Sequence, residues 1–575
     1  MANRRFLVTA GLPYSNGRLH VGHVAGAYLP ADTWVRYLRA RGDDALFVCG
    51  SDDNGVSTLI SARKEGKSVE ELTAFYNRRQ AADFAGLGIA FDVFGGTHQP
   101  SFVEHHERLS QDMFRRIHDL GFFTKKTTRQ LFDVEADQFL PDRYVQGTCH
   151  HDRLDGTPCG YEEAYGDQCE QCGNTIDPML LGDPVSTITG TRPEPRDTTH
   201  WYLRLDRFES KLRDWLEAKR TAGEHGPAWR DTVLNFCLGQ IKQGLPERAM
   251  TRDLSWGVPV PLDDPDAAGK VLYVWFDAPI GYVSFVAKLL EERTGDADRY
   301  VDWWKSPDCR IVHFIGEDNT VFHALIWPAM LHAEGTYQLP SQVVANAFLN
   351  IKFPGQDETK ISKSRGTAIW IEDYLERFDP DPLRYYLTAI APETSRTAFD
   401  LDDFVTRNNG ELLAAFGNFV NRTVTFTAKN FDGKVPAAGV RGEADRAHLE
   451  TIRRQATAVT EHLEAYRFKA ALAEVMALAR AGNGYMDLKK PWAQRKQDLD
   501  ACGTTMNVCL QTVKALATLI APFLPFSAAK CASMLCLDGD VLPWDGACTE
   551  LPGGHALGEP EMLVRKLDPA EVFAE

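Results

Sequence analysis

Short apolar runs alternate with longer amphipathic ones through the first hundred residues. Phe6-Leu-Val-Thr-Ala10 is apolar on both faces, the pattern of a strand buried in a parallel sheet. The stretch through Ala31–Leu38 then takes a helical period, and Ala45–Cys49 is a second buried strand that ends in Gly50-Ser51-Asp52. This alternation predicts a parallel α/β sheet over 1–115. It contains one local conflict: Pro30 cannot donate to the carbonyl of Gly26, which predicts a kink or a late start to the first helix.

From 116 to 245 the pattern breaks into a polar insertion. At 246–335 it resumes, with predicted strands over Val271–Phe276, from its β-branched and aromatic content, and over Arg310–Ile315. A helix bearing His323 and Trp327 should follow. Residues 336–395 add a strand at Gln342–Asn346. Over 396–548 prolines thin out and long amphipathic runs predict an antiparallel helix bundle. Residues 549–575, rich in Gly and Pro, read as a tail packed on the body.

Composition narrows the class. The chain has 575 residues, 44% hydrophobic and 25% charged, which suits a multidomain globular protein with a large core. No apolar run reaches membrane-spanning length, and no signal-peptide core precedes the first strand, so the cytosol is the expected compartment. A net charge of −17 argues against generic polyanion binding, although Lys489–Lys496 is locally basic. Four of the 12 cysteines fall between Cys149 and Cys172, which points to a metal rather than a disulfide framework. Cys169-x-x-Cys172-Gly173 has the form of a zinc knuckle. Its partners, Cys149 and Cys159, are unusually far apart, so Cys149, His150 and His151 all stay open as the remaining ligand.

The chemistry concentrates at two places. Just after the first strand comes His20-Val21-Gly22-His23, at the start of a helix whose free N–H groups suit phosphate; no Walker lysine is present. Far downstream lies Lys360-Ile361-Ser362-Lys363-Ser364. Asp52, at the end of the second strand, should share a crevice with His20 and His23. The two motifs, in this order, resemble the ATP-binding signatures of class I aminoacyl-tRNA synthetases.

Ala10–Tyr14 together with Trp275–Tyr282, the knuckle, Asn418–Arg422 and Lys490-Pro491-Trp492 resemble the methionyl-tRNA synthetase family over essentially the whole chain. The resemblance implies a Rossmann-type catalytic sheet split by the insertion, followed by an anticodon-binding bundle. It implies a ligase that activates L-methionine with ATP and charges tRNA(Met). His20, His23, Lys360 and Lys363 would be catalytic. Gly22, Asp318, Arg252 and Lys363 would hold ATP, with Mg²⁺ bridging its phosphates. Leu12, Tyr14, Asp52, Trp275, Ala278, Pro279, Tyr282 and His323 would hold methionine, Asp52 taking its ammonium. Asn418, Arg422 and Trp492 would read the anticodon, and Cys149, Cys159, Cys169 and Cys172 would bind one structural Zn²⁺. The absence of a further C-terminal domain implies a monomer.

Four departures stand out: Ile361 in place of methionine, Asn54 in place of histidine, Asn319 in place of an apolar residue, and the stretched cysteine pair. Two rivals remain at this stage. One is a class I synthetase of other specificity, against which the lack of a large editing insertion and of a zinc site in the pocket both count. The other is a silent tRNA-binding paralogue, against which the intact histidines and lysines count.

Overall fold

The structure, a computed structural model, describes residues 4–141, 144–152, 156–166, 169, 171–172, 176–223, 226–361, 367–539 and 541–569. Five parallel strands form its centre: β1 (Arg5–Ala10), β2 (Asp44–Ser51), β3 (Val93–Gly96), β4 (Cys309–Gly316) and β5 (Gln342–Asn346), in the order β5-β4-β1-β2-β3. β1 sets the register, with Ala10 opposite Phe314 on one side and Thr9 opposite Val48 on the other. Its unbroken apolar run is buried on both faces, as a central parallel strand requires. The strand order reverses between β1 and β4. Such a switch point opens a crevice beyond the carboxyl ends of the strands.

The expected conflict in the first helix is resolved by a wider turn. A helical turn at Val21–His23 runs through a π-segment, Val24–Tyr28, where Leu29 N–H reaches back to Val24 O, and then into α1 (Leu29–Ala40). Pro30 sits in the first turn of α1, where its missing N–H is tolerated.

The insertion rests on a long antiparallel pair, Phe123–Asp133 with Glu194–Leu203. It carries a three-stranded knuckle sheet with a small core of its own, against which Val56 and Ile60 of the catalytic half pack. It returns through α2 (Asp231–Gln243).

One expectation is corrected here. Only Val271–Leu272 of the run Val271–Phe276 is strand; from Val274 the chain forms α3 (Val274–Thr294). β-branched and aromatic residues suit any element buried on all sides, and α3 is such a helix. Trp275, Ala278, Pro279 and Tyr282 therefore fall at i, i+3, i+4 and i+7, on one face.

The C-terminal region is helical as expected: α4 (Asn418–Asn430), α5 (Glu443–Glu464), α6 (Phe468–Lys489), α7 (Pro491–Gln497) and α8 (Leu499–Ile520). Its core is continuous with one face of the sheet, from Phe6 and Val8 through Leu387 and Leu472 to Leu567. The tail packs on it through Leu551, Leu563, Val564 and Leu567. At the junction Arg384 is fully buried, donating to Asp32 at 2.6 Å and to the carbonyls of Leu87, Pro522 and Phe523. Among the described residues no helix is long and apolar enough to cross a membrane.

Candidate functional site

The chain leaving β1 runs past the end of β2. Tyr14 bridges to Asp52, whose N–H donates to Pro13 O at 2.8 Å, while Ser15 N–H donates to Asp52 O at 3.1 Å. His20 is extended (φ −125°) and caps the helical turn. Its Nδ1 accepts from Gly22 N–H at 3.2 Å, and its own N–H donates to His23 Nδ1 at 3.1 Å. The two rings stack with centroids 3.6 Å apart. With both Nδ1 atoms acting as acceptors, the neutral rings carry their protons on Nε2, as donors. Two such donors at the start of a helical run are chemically suited to an anion.

The lysine segment is brought to the same place. Trp370 bridges to His20, Val21 N–H donates to Ile369 O at 3.1 Å, and Ile371 N–H donates to Leu19 O at 3.0 Å. Lys360, in a short strand paired with Leu349–Lys352, lines the same cavity as His20 and His23. Gly22 sits at the crowding point: a Cβ there would lie 3.1 Å from the His20 ring and 3.1 Å from the Ile361 side chain. Ile361 thus covers the glycine with its side chain, and its substitution for methionine keeps an apolar lid. Lys363 lies outside the described residues.

A cavity of about 480 Å³ extends from these histidines to the buried end of α3. Leu12, Tyr14, Asp52, Trp275, Ala278, Pro279, Tyr282, Asp318 and His323 all line it. Its inner end is apolar and aromatic. Trp275 stacks on Phe322 at 3.8 Å, and Tyr14 stands edge-on to Trp275. Tyr282 O–H donates to His323 Nε2 at 2.9 Å, and His323 Nδ1–H donates to Asn319 O at 3.1 Å. A carbonyl can only accept, so that bond fixes the tautomer. Burial pushes the His323 imidazole down to about 4, which keeps it neutral. Asn319 thus serves through its backbone, which explains why a polar side chain is tolerated there.

Asp52 is the carboxyl group of this end. Burial raises its carboxyl well above the usual range, and the neighbouring carboxylates of Asp277 and Asp53 add to the shift. A cation placed against it would hold it ionised. Asn54 spans the space behind: Nδ2 donates to Asp277 Oδ2 at 2.7 Å, and Oδ1 faces His98 Nδ1 at 3.2 Å. His106 Nε2 lies 3.1 Å from the same Asp277 oxygen.

Arg252 is not brought to this cavity. Its guanidinium lies over the Tyr273 ring at 3.8 Å and donates to the carbonyls of Ala249 and Thr251. Sequence reasoning also missed several lining residues. Phe322 is the neighbour of His323 and could have been found from it. Gln80 donates to Tyr14 O at 2.9 Å and Gly17 O at 3.1 Å from a distant helix, with no local signal.

In the insertion all four cysteines converge, their sulfurs within 4.8 Å of one another. Cys149–Cys172 and Cys159–Cys169 are 3.8 and 3.7 Å apart. A tetrahedron of sulfurs about 2.3 Å from a zinc ion has edges of about 3.8 Å, so the set fits. The stretched spacing is taken up by the excursion between Cys149 and Cys159, closed by Cys159 N–H donating to His151 O at 2.9 Å. The fourth sulfur is that of Cys149, and His150 and His151 are not part of the cluster.

On the bundle Asn418 and Arg422 of α4 and Trp492 of α7 are all exposed. The Arg422 guanidinium lies 6.0 Å from the centre of the Trp492 ring and 3.9 Å from Asp487. A buried asparagine and a core tryptophan, the ordinary fates of such residues, are not what occurs.

Comparison with known proteins places these features together. The family model for class I tRNA synthetases (M) matches residues 6–424, and that for the anticodon binding domain of methionyl tRNA ligase matches residues 435–574. The methionine–tRNA ligase of Bacteroides fragilis is 45% identical over 574 residues, covering 100% of this chain and 80% of its own length. That of Pyrococcus abyssi is 42% identical over 99% of this chain and 76% of its own. The solved structure of Mycobacterium tuberculosis methionyl-tRNA synthetase in complex with methionyl-adenylate superposes with a TM-score of 0.77 at 26% identity, covering 98% of this chain and 99% of that one.

Proposed function

This chain belongs to the methionine–tRNA ligase family of class I tRNA synthetases, and from that premise we propose how its residues divide the work. It activates methionine with ATP, releasing pyrophosphate, and passes the methionyl group to tRNA. In the first step a carboxylate oxygen of methionine attacks the α-phosphorus of ATP, and the bond to pyrophosphate breaks. No enzyme nucleophile is needed, so positioning and charge stabilisation carry the rate.

Asp52 takes the substrate ammonium. Tyr282, His323, Trp275, Ala278, Pro279 and Leu12 enclose the thioether, and Tyr14 closes over it; sulfur–aromatic contact and shape do the selecting. The His20 and His23 Nε2–H groups donate to phosphate oxygens, Asp318 serves the nucleoside side, and Lys360 with Lys363 supplies positive charge to the departing pyrophosphate. When bound with ATP, Mg²⁺ would supply charge neutralisation at the phosphates. Asn418, Arg422 and Trp492 meet the anticodon, and Cys149, Cys159, Cys169 and Cys172 would hold a structural zinc. The observation that carries this reading is the single cavity, with two Nε2–H donors at one end and a buried carboxylate beside an aromatic sleeve at the other.

Amino-acid-dependent ATP–pyrophosphate exchange, run against all twenty amino acids, tests it. Exchange with methionine alone is expected; exchange driven by another amino acid would overturn the pocket assignment. Elemental analysis should find about one zinc per chain, and a value near zero would remove the metal.

A further inference from the structure

The π-segment after His23 leaves a polar problem that the structure solves from a distance. Pro30 has no N–H to give to Gly26 O, four residues back. The donor comes instead from Asn346, the buried last residue of β5. Its Nδ2 lies 3.0 Å from Gly26 O and 3.4 Å from Ala25 O. A side-chain amide has two ends, and the other is also committed: Asn346 Oδ1 accepts from Arg230 Nη1 at 2.7 Å.

Arg230 stands at the N-terminus of α2 and gathers three further acceptors. Nη1 donates to Ala345 O at 2.8 Å and Glu393 O at 2.7 Å, and Nη2 donates to Tyr466 O at 3.0 Å. All four acceptors are neutral, so the guanidinium is not there to complete an ion pair. Its rigid fork instead joins the end of β5, the segment after the helix Pro380–Ala389, and the turn between α5 and α6. That turn is itself set: Tyr466 has φ +55°, a left-handed backbone. A chain of hydrogen bonds thus runs from a turn of the bundle through Arg230 and Asn346 to the π-segment that directly follows His23.

We propose that Arg230 and Asn346 are positioning residues for the ATP half of the reaction, holding the π-segment, and with it His20 and His23, in register with the sheet and the bundle. Neither residue lines the cavity. The proposal rests on the reading of the histidines as phosphate donors.

Three variants test it by ATP–pyrophosphate exchange, with KM for ATP, KM for methionine and kcat measured separately. Asn346→Ala and Arg230→Lys should each raise KM for ATP or lower kcat by about tenfold, with KM for methionine within about twofold, since small misplacements of positioned groups carry losses of this order and more. Their effects should not add, because they act through one bond. Asn346→Asp separates positioning from bulk stability. It gives Arg230 a carboxylate, so the melting temperature should hold or rise, yet it cannot donate to Gly26 O, so the ATP-side loss should remain. Full activity in Asn346→Asp and Arg230→Lys, or an equal loss on the methionine side, would overturn the proposal. His20→Asn serves as the reference: if it impairs exchange while the Arg230 and Asn346 variants do not, only this proposal fails; if it too is without effect, the reading of the histidines fails.

Discussion

The cavity we propose for methionine activation and the face we propose for the anticodon hold their residues in opposite ways. In the cavity Asp52, Tyr282 and His323 are buried, and each is fixed by hydrogen bonds to neighbouring backbone or side chains. On the bundle Asn418, Arg422 and Trp492 stand in solvent, and Arg422 is tethered only loosely to its two neighbours. The difference follows from the tasks. Stabilising a transferring phosphoryl group calls for dipoles and charges already in place, out of water. Reading unstacked bases calls for faces that a strand can reach and stack against. Damage to the first region should therefore remove chemistry, and damage to the second should remove only recognition.

The largest effect expected is at Asp52. Asp52→Asn removes the carboxyl proposed to meet the substrate ammonium, with an expected loss of about 2–5 kcal/mol, or roughly 30- to 4,000-fold in kcat/KM for methionine. KM for ATP should change little. The free protein should be no less stable, because the carboxyl it loses is buried beside two other carboxyl groups, which disfavours its charged form. Exchange assays beside thermal unfolding check both halves, and parent-like kinetics would break the contrast.

A second effect concerns acid stability. His323 is held down to about 4, against about 6.5 for an unfolded histidine. Between these values the unfolded chain binds a proton that the folded one does not, so stability present above pH 6.5 is lost as pH falls towards 4. Two units of this window amount to about 2–3 kcal/mol. From pH 7 to pH 4.5, denaturant unfolding of the parent should lose that much more stability than unfolding of His323→Gln. Equal losses would show that His323 is not buried neutral.

How legible all this was in the sequence depends on distance along the chain. β1, β2, β4 and β5 were readable because a strand buried on both faces writes an unbroken apolar run. The histidine turn was readable because its parts are contiguous. α3 was misread for the same reason that the strands were found: a helix buried on all sides writes a similar run. The i, i+3, i+4, i+7 spacing of Trp275, Ala278, Pro279 and Tyr282 was the signal against a strand. Arg252 was placed by likeness, and its guanidinium lies over the Tyr273 ring rather than lining the cavity. Gln80, Asn346 and Arg230 left no trace, because their partners lie dozens to hundreds of residues away and most of the bonds are to backbone. The stretched cysteine pair looked defective only because spacing was measured along the chain rather than through the turn that closes it.

The smallest of these effects tests the division most directly. Trp492→Ala, carried through both half-reactions on the same preparation, should leave methionine-dependent ATP–pyrophosphate exchange at the parent rate. It should lower kcat/KM for tRNA charging by about 5- to 150-fold, the worth of one stacked base at about 1–3 kcal/mol. Loss of exchange in step with charging, or charging left intact, would contradict the account.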